Sequence, residues 1–192
     1  MSIETKTPDL ARTYTPAEFE ALPEFDKRFE LVEGKLVEKP MAGDEHGRII
    51  QRINRRITLF DPEEKLGQVW GSDTSFDVGT GWMPMPDLGF VKAGRIPPES
   101  KKSVKAVPDL VVEVQSPSDL RSQPEREAAI QKIADWRAVG VGLIWAVYPD
   151  RRIIEVYRSG QPAPLELNIG QELEGETLIP GFSLPLAEIF KA

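Results

Sequence analysis

Two apolar segments each carry an acid at a position where chemistry could use it. "MPDLGFV" sets Asp87 at the head of one, and "PDLVVEVQS" sets Asp109 at the head of another with Glu113 further in. Both read as β-strands, and the loop between them is long enough to make them neighbours. Side chains alternate along a strand. Asp109, Val111, Glu113 and Gln115 therefore share one face, and Leu110, Val112 and Val114 the other. A carboxylate flanked by so many valines is costly to bury alone, and the valine content marks a central strand covered on both faces. Glu113 thus points to a site rather than to solvent. Two carboxylates on adjacent strands can hold one or two Mg²⁺ (or Mn²⁺) ions through oxygen. Such an ion lowers the pKa of its bound water and stabilises charge on a phosphate.

Two further positions bear on that chemistry. Asp109 is a third acid for the metal, although Asp at a strand start equally serves a turn by accepting backbone N–H groups. A cation beside the attacking water is also needed. Gln115 lies where Glu113's neighbour on the strand would supply it, but an amide is neither a base nor a charge. Lys132, on the next predicted helix, can bring the charge from another direction.

The elements that must position these groups follow in order. Residues 1–13 read as a loose N-terminal tail, and residues 14–192 as one domain. "TPAEFEALPEFD" opens with a Thr cap, Pro at the first helical position and Glu at the third, the signature of a short helix. "RFELVEGKLVEKP" alternates on either side of Glu33-Gly34 and predicts a tight hairpin. In "DEHGRIIQRINRRITLFD", Ile49, Ile50, Ile53 and Ile57 repeat at helical spacing. Arg48, Arg52, Arg55 and Arg56 fall largely on the opposite face, either as a solvated surface or as phosphate contacts. "GQVWGS", "TSFDVG" and "PDLGFV" read as strands. Residues 92–107 read as a surface loop carrying Lys92, Arg95, Lys101, Lys102 and Lys105. "SQPEREAAIQKIADWRAVG" is a second helix capped by Ser122, and "VGLIWAVYPDRRIIEVYRSG" a second hairpin. "ETLIPGFSLPLAEIF" predicts a short strand, a Pro-Gly turn and a final short helix. The fold class is mixed α/β (α+β), a central sheet between helices.

Composition narrows the functions. The chain has 192 residues, no cysteine and one histidine, His46. Thiolate nucleophiles, disulfides, cysteine-bound zinc and multi-histidine metal sites are excluded. The net charge of −7 counts against holding nucleic acid by general electrostatics, though not against a local basic patch. No apolar run approaches the ~18 residues of a membrane span, and the polar N-terminus lacks a signal-peptide pattern, so the reading is a cytoplasmic protein. "SPSD", with Ser116, Ser118 and Asp119, is turn and capping chemistry. "GTGW" lacks the lysine and helix start of a phosphate loop. Trp136, Trp145, Tyr148 and Tyr157 fall at helix and strand spacings that suit core or interface.

In order, "RFELVEGKLVEKP", "EHGRI", "MPDLGFV", "PDLVVEVQSPSD", the helix with Lys132, "GVGLIWAVYPDRRIIEVYR" and "LIPGFSLPLAEIF" resemble the large bacterial family of putative restriction endonuclease domains, within the PD-(D/E)-x-K nuclease superfamily. The resemblance runs from about Thr15 to the C-terminus. It implies a restriction-endonuclease-like core, a mixed central sheet flanked by helices, and metal-dependent hydrolysis of phosphodiester bonds. Asp87 is similar to the superfamily's PD aspartate and Glu113 to its second acid. Gln115 stands in the place of its lysine, a departure that leaves the catalytic charge to Lys132. Glu33 and His46 match recurring family positions, Glu33 as an approach to the metal and His46 as a contact to substrate. The family implies a homodimer, suited to cutting both strands. The resulting expectation is a Mg²⁺- (or Mn²⁺-) dependent endonuclease acting on DNA rather than RNA. The competing reading is a catalytically inactive nuclease-fold module that binds nucleic acid or a protein partner.

Overall fold

A computed structural model describes residues 8–115 and 122–191. The first seven residues of the expected tail and the turn at Ser116, Ser118 and Asp119 lie outside the described residues.

Local chemistry sets the first elements. Helix α1 (Pro16–Glu20) starts at a capping box in which Thr15 and Glu18 satisfy each other's backbone N–H groups. Strands β1 (Arg28–Val32) and β2 (Lys35–Lys39) pair antiparallel. Their two-residue turn holds Glu33 at φ 49° and Gly34 at φ 77°, the twist a tight hairpin requires. A Cβ at Gly34 would lie 2.6 Å from the Thr13 side chain, so only glycine fits. Helix α2 (Asp44–Phe60) buries Ile49, Ile50, Ile53 and Ile57, each contributing about 1.5–3 kcal/mol on removal from water.

The central sheet has six strands in the order β3 (Gly67–Gly71), β4 (Leu88–Lys92), β5 (Leu110–Val114), β6 (Leu143–Tyr148), β7 (Ile153–Arg158) and β8 (Leu165–Leu167). Only β5 and β6 are parallel; the other pairs are antiparallel. A parallel pair needs a crossover, and α3 (Gln123–Ala138) provides it. Both faces of β5 are covered, as its valines require. Leu110, Val112 and Val114 pack with the α2 isoleucines and with Leu184, Leu186 and Ile189 near the C-terminus. Val111 packs with Ile133 and Trp136 of α3. A third cluster, Tyr14, Phe29, Leu31, Leu36 and Met83, fills the space under the β1–β2 hairpin. The chain closes with β9 (Glu172–Glu174), β10 (Ser183–Pro185) and α4 (Leu186–Ile189). No helix among the described residues is long and apolar enough to cross a membrane.

Three segments differ from the sequence expectation. "TSFDVG" forms no strand. Phe76 makes a single bridge to Val104, because Gly79 and Gly81 turn the chain at φ 82° and 85° and Pro84 and Pro86 deny it ladder donors. The 92–107 loop is anchored rather than free. Ser103 and Val104 are buried, and the Ser103 hydroxyl bonds Glu20. At the C-terminus, residues 176–179 form a turn, and the strands lie on either side as β9 and β10.

Candidate active site

Asp87 immediately precedes β4. The antiparallel register sets Leu88 opposite Val112, and one more step places Asp87 opposite Glu113. Asp87 is buried. Its Oδ2 accepts the Val114 N–H at 2.8 Å, and its Oδ1 lies 3.4 Å from Lys39 Nζ. His46, in the first turn of α2, brings Nε2 to 3.1 Å from Oδ2. That contact is off the line of a hydrogen bond, leaving Nε2 buried without one. Burial alone would raise the Asp87 pKa. The adjoining His46, the Lys39 ammonium and the Val114 N–H outweigh it and hold the group at about 2.

Glu113 is the complementary case. It is buried at the middle of the sheet and accepts a hydrogen bond from Trp136 Nε1 at 2.8 Å. Lys132 Nζ lies 3.3 Å from the same oxygen. Burial pushes its pKa up, Lys132 pulls it down, and the Asp87 and Glu30 charges push it up again, leaving it at about 7. Burial opposes charge on Lys132, but Glu113, Glu30 and Asp87 prevail, so its ammonium is held above the ordinary lysine range. Lys132 and Trp136 sit four residues apart on α3 and so share one face.

A third acid enters from the hairpin. Glu30 is buried in the middle of β1. It accepts the Met85 N–H at 2.9 Å and a hydrogen bond from Lys132 Nζ at 3.1 Å. Sequence reasoning placed this role on Glu33, which the structure leaves exposed in the turn. The signal for Glu30 was present. It stands between Phe29 and Leu31 in a predicted strand, the setting that singled out Glu113. Lys39, at the end of β2, also escaped notice.

Other candidates lie elsewhere. Asp109 is four residues before Glu113, ~13 Å along the strand. Its carboxylate is taken by Arg95 and by the Lys92 N–H, so it is a turn acid away from the site. Gln115 is buried just past β5, its N–H donated to the Val147 carbonyl at 2.8 Å. On α2, Arg48 pairs with Asp44. Arg52 donates to the Ile189 and Lys191 carbonyls at 2.9 and 2.5 Å, and Arg56 lies 3.4 Å from Glu188. Arg55 is exposed and has no partner among the described residues. The arginine face thus docks the C-terminus as well as facing solvent.

The donor chemistry suits a divalent cation in an open site. Asp87 and Glu113 offer hard oxygen ligands from adjacent strands, and His46 Nε2, 3.1 Å from Asp87 Oδ2, is a buried polar atom beside them that makes no hydrogen bond. Among the described residues, no three of His, Cys, Asp and Glu converge into a closed cage. Mg²⁺ is commonly bound by one or two carboxylates, with water and phosphate completing its shell.

Comparison with known proteins identifies the family and the fold. A family model described as "Uma2: Putative restriction endonuclease" matches residues 16–187. Among solved structures, the chain resembles a putative nuclease belonging to DUF820 from Anabaena variabilis ATCC 29413. The TM-score is 0.76 at 23% identity, over 92% of this chain and 97% of that one. At that identity the likeness is one of fold. No curated protein matches the chain.

Proposed function

This chain belongs to the Uma2 family of putative restriction endonucleases, and from that premise we propose that it is a divalent-metal-dependent endonuclease acting on DNA, assembled as a homodimer. The observation that carries the reading is Lys132. Its ammonium reaches Glu113 and Glu30 at 3.3 and 3.1 Å, so the charge missing at Gln115 is delivered to the same carboxylate from α3. The ammonium is thus held between two buried carboxylates beside Asp87, the placement a catalytic charge requires.

In this reading Asp87 and Glu113 hold Mg²⁺ or Mn²⁺, and Glu30 borders the site. When bound, the ion supplies a water of lowered pKa and charge stabilisation at the phosphate. Lys132 stabilises the anionic character of the attacking water and the phosphate. The Trp136 N–H fixes the Glu113 carboxylate, as partners of metal ligands generally do. The Val114 N–H does the same for Asp87. His46, with Nε2 against Asp87, supports that carboxylate, and Arg48, Arg55 and the exposed Lys101 and Lys102 supply phosphate contacts.

The test is cleavage of plasmid, single-stranded DNA and RNA with Mg²⁺, with Mn²⁺ and with chelator, beside Asp87→Ala, Glu113→Ala and Lys132→Met. Metal-dependent nicking of plasmid by the wild type alone supports the reading. Equal cleavage by the variants, or none by the wild type on any substrate, rejects it.

A further inference from the structure

The β1–β2 hairpin has one apolar and one charged face. Phe29, Leu31 and Leu36 fill the core beneath it. The pairs Arg28–Lys39 and Glu30–Val37 stand on the other face. From there the hairpin grips a single residue twice. Glu30 accepts the Met85 N–H at 2.9 Å, and Lys39 donates to the Met85 carbonyl at 2.6 Å. Pro84 and Pro86 flank Met85, restricting the backbone on either side of the grip. Asp87 lies two residues on, so the hairpin sets the line of the chain that presents its carboxylate.

Lys39 then does a second thing. Its side chain is only 12% exposed, and Nζ lies 3.4 Å from Asp87 Oδ1. The opposite oxygen, Oδ2, is committed to the Val114 N–H. A cation reaching Asp87 through Oδ1 therefore meets an ammonium already beside it. Three buried acids, Glu30, Asp87 and Glu113, face two ammonium groups, Lys39 and Lys132. The two lysines keep the cluster close to neutral, and a divalent ion entering it meets both.

We propose that Lys39 is a positioning residue that neutralises Asp87 in the metal-free protein and competes with the divalent cation for Asp87 Oδ1. This rests on the reading that Asp87 and Glu113 hold a metal. Lys39 sets the threshold of cation concentration at which the site loads. Once the cation has taken Oδ1, the ammonium remains tethered by Met85 at the edge of the site.

The experiment is Mn²⁺ titration by calorimetry on chelator-stripped protein, comparing wild type, Lys39→Gln, Lys39→Arg and Asp87→Ala. Glutamine keeps a donor for the Met85 carbonyl and removes the charge. Lys39→Gln is expected to bind Mn²⁺ roughly tenfold more tightly, about 1.4 kcal/mol, because a nearby positive charge no longer opposes the ion. Lys39→Arg stays close to wild type. In chelator, Lys39→Gln melts below wild type, and saturating Mn²⁺ raises its melting temperature by more than it raises that of wild type. Should Lys39→Gln fold poorly, Lys39→Met read by the same Mn²⁺-dependent melting shift gives the same sign. Unchanged or weaker Mn²⁺ binding by both neutral variants, with wild-type binding that depends on Asp87, overturns the proposal alone. No Asp87-dependent binding in the wild type overturns the metal reading and this proposal with it.

Discussion

Lys132→Met isolates the electrostatic logic of the site. The ammonium lies 3.1 Å from Glu30 Oε1 and 3.3 Å from Glu113 Oε1, and methionine keeps the apolar stem while removing the charge. Breaking a buried pair from one side costs about 3–5 kcal/mol because the partner charge is stranded. The Lys132 side chain is 27% exposed, so solvent screening brings the figure toward about 2–3 kcal/mol. For a chain of this size that lowers the melting temperature by about 4–12 °C. The pH dependence gives the sharper test. The Glu113 pKa is raised in the folded protein to about 7, from 4.5. The folded state therefore binds the extra proton, and stability from this group is fully present below 4.5 and lost as pH rises through 7. Removing Lys132 takes away the main influence lowering that pKa, so the loss deepens at high pH. The assay is chemical denaturation of wild type and variant in chelator at pH 8 and pH 5.5. The variant's deficit should be largest at pH 8 and shrink at pH 5.5, where Glu113 takes up its proton, and Glu113→Gln added to Lys132→Met should recover part of it at pH 8. A deficit equal at both pH values, or absent at both, would refute the argument that Lys132 stabilises an ionised Glu113.

Further outcomes test other links. Trp136→Phe removes the N–H that Glu113 accepts at 2.8 Å. It should cost about 1–3 kcal/mol in urea denaturation and weaken Mn²⁺ binding roughly 10- to 100-fold by calorimetry; unchanged metal affinity would detach the indole from the site. Asp87 has its pKa lowered to about 2 from 3.8. It therefore stabilises the fold above 3.8, a contribution lost as pH falls through about 2, and Asp87→Asn should flatten acid unfolding in that window. Gly89→Ala sets a Cβ 2.6 Å from the Phe76 ring, an overpacking expected to cost about 1–3 kcal/mol in thermal melts. Arg55→Ala should reduce the salt dependence of DNA binding by about one phosphate contact, and an unchanged slope would place Arg55 away from the nucleic acid.

Much of this arrangement was readable because apolar spacing constrains it. The four isoleucines of α2, the alternation around Glu33-Gly34 and the valines of β5 each left one geometry open, and each element formed within a few residues of expectation. Glu113 was legible for the same reason, a charge where the pattern requires an apolar residue. Glu30 offered the same signal but was obscured by Glu33, three residues on in a turn that attracts acids. Lys39 could not be read locally. A lysine at a strand end is ordinary, and its meaning lies in Met85 and Asp87, which reach it only through the fold. Asp109 misled because a strand-start Asp has two uses, and Arg95 decides which applies.

The placement of Lys132 and Trp136 four residues apart has a mechanical consequence. Both touch the same oxygen of Glu113, yet neither belongs to the sheet that carries it. On a strand, a lysine two positions from Glu113 would be bound to it by the pleat and could move only with it. On α3, the ammonium and the indole are carried together as one pair, and their distance from the carboxylate is set by how the helix seats on Val111 of β5. Sliding α3 by a single residue would turn both away at once. The helix therefore acts as a coupled two-pronged key on Glu113, and any force that shifts its seat against β5 and β6 would switch the proton affinity and the orientation of that acid in one motion.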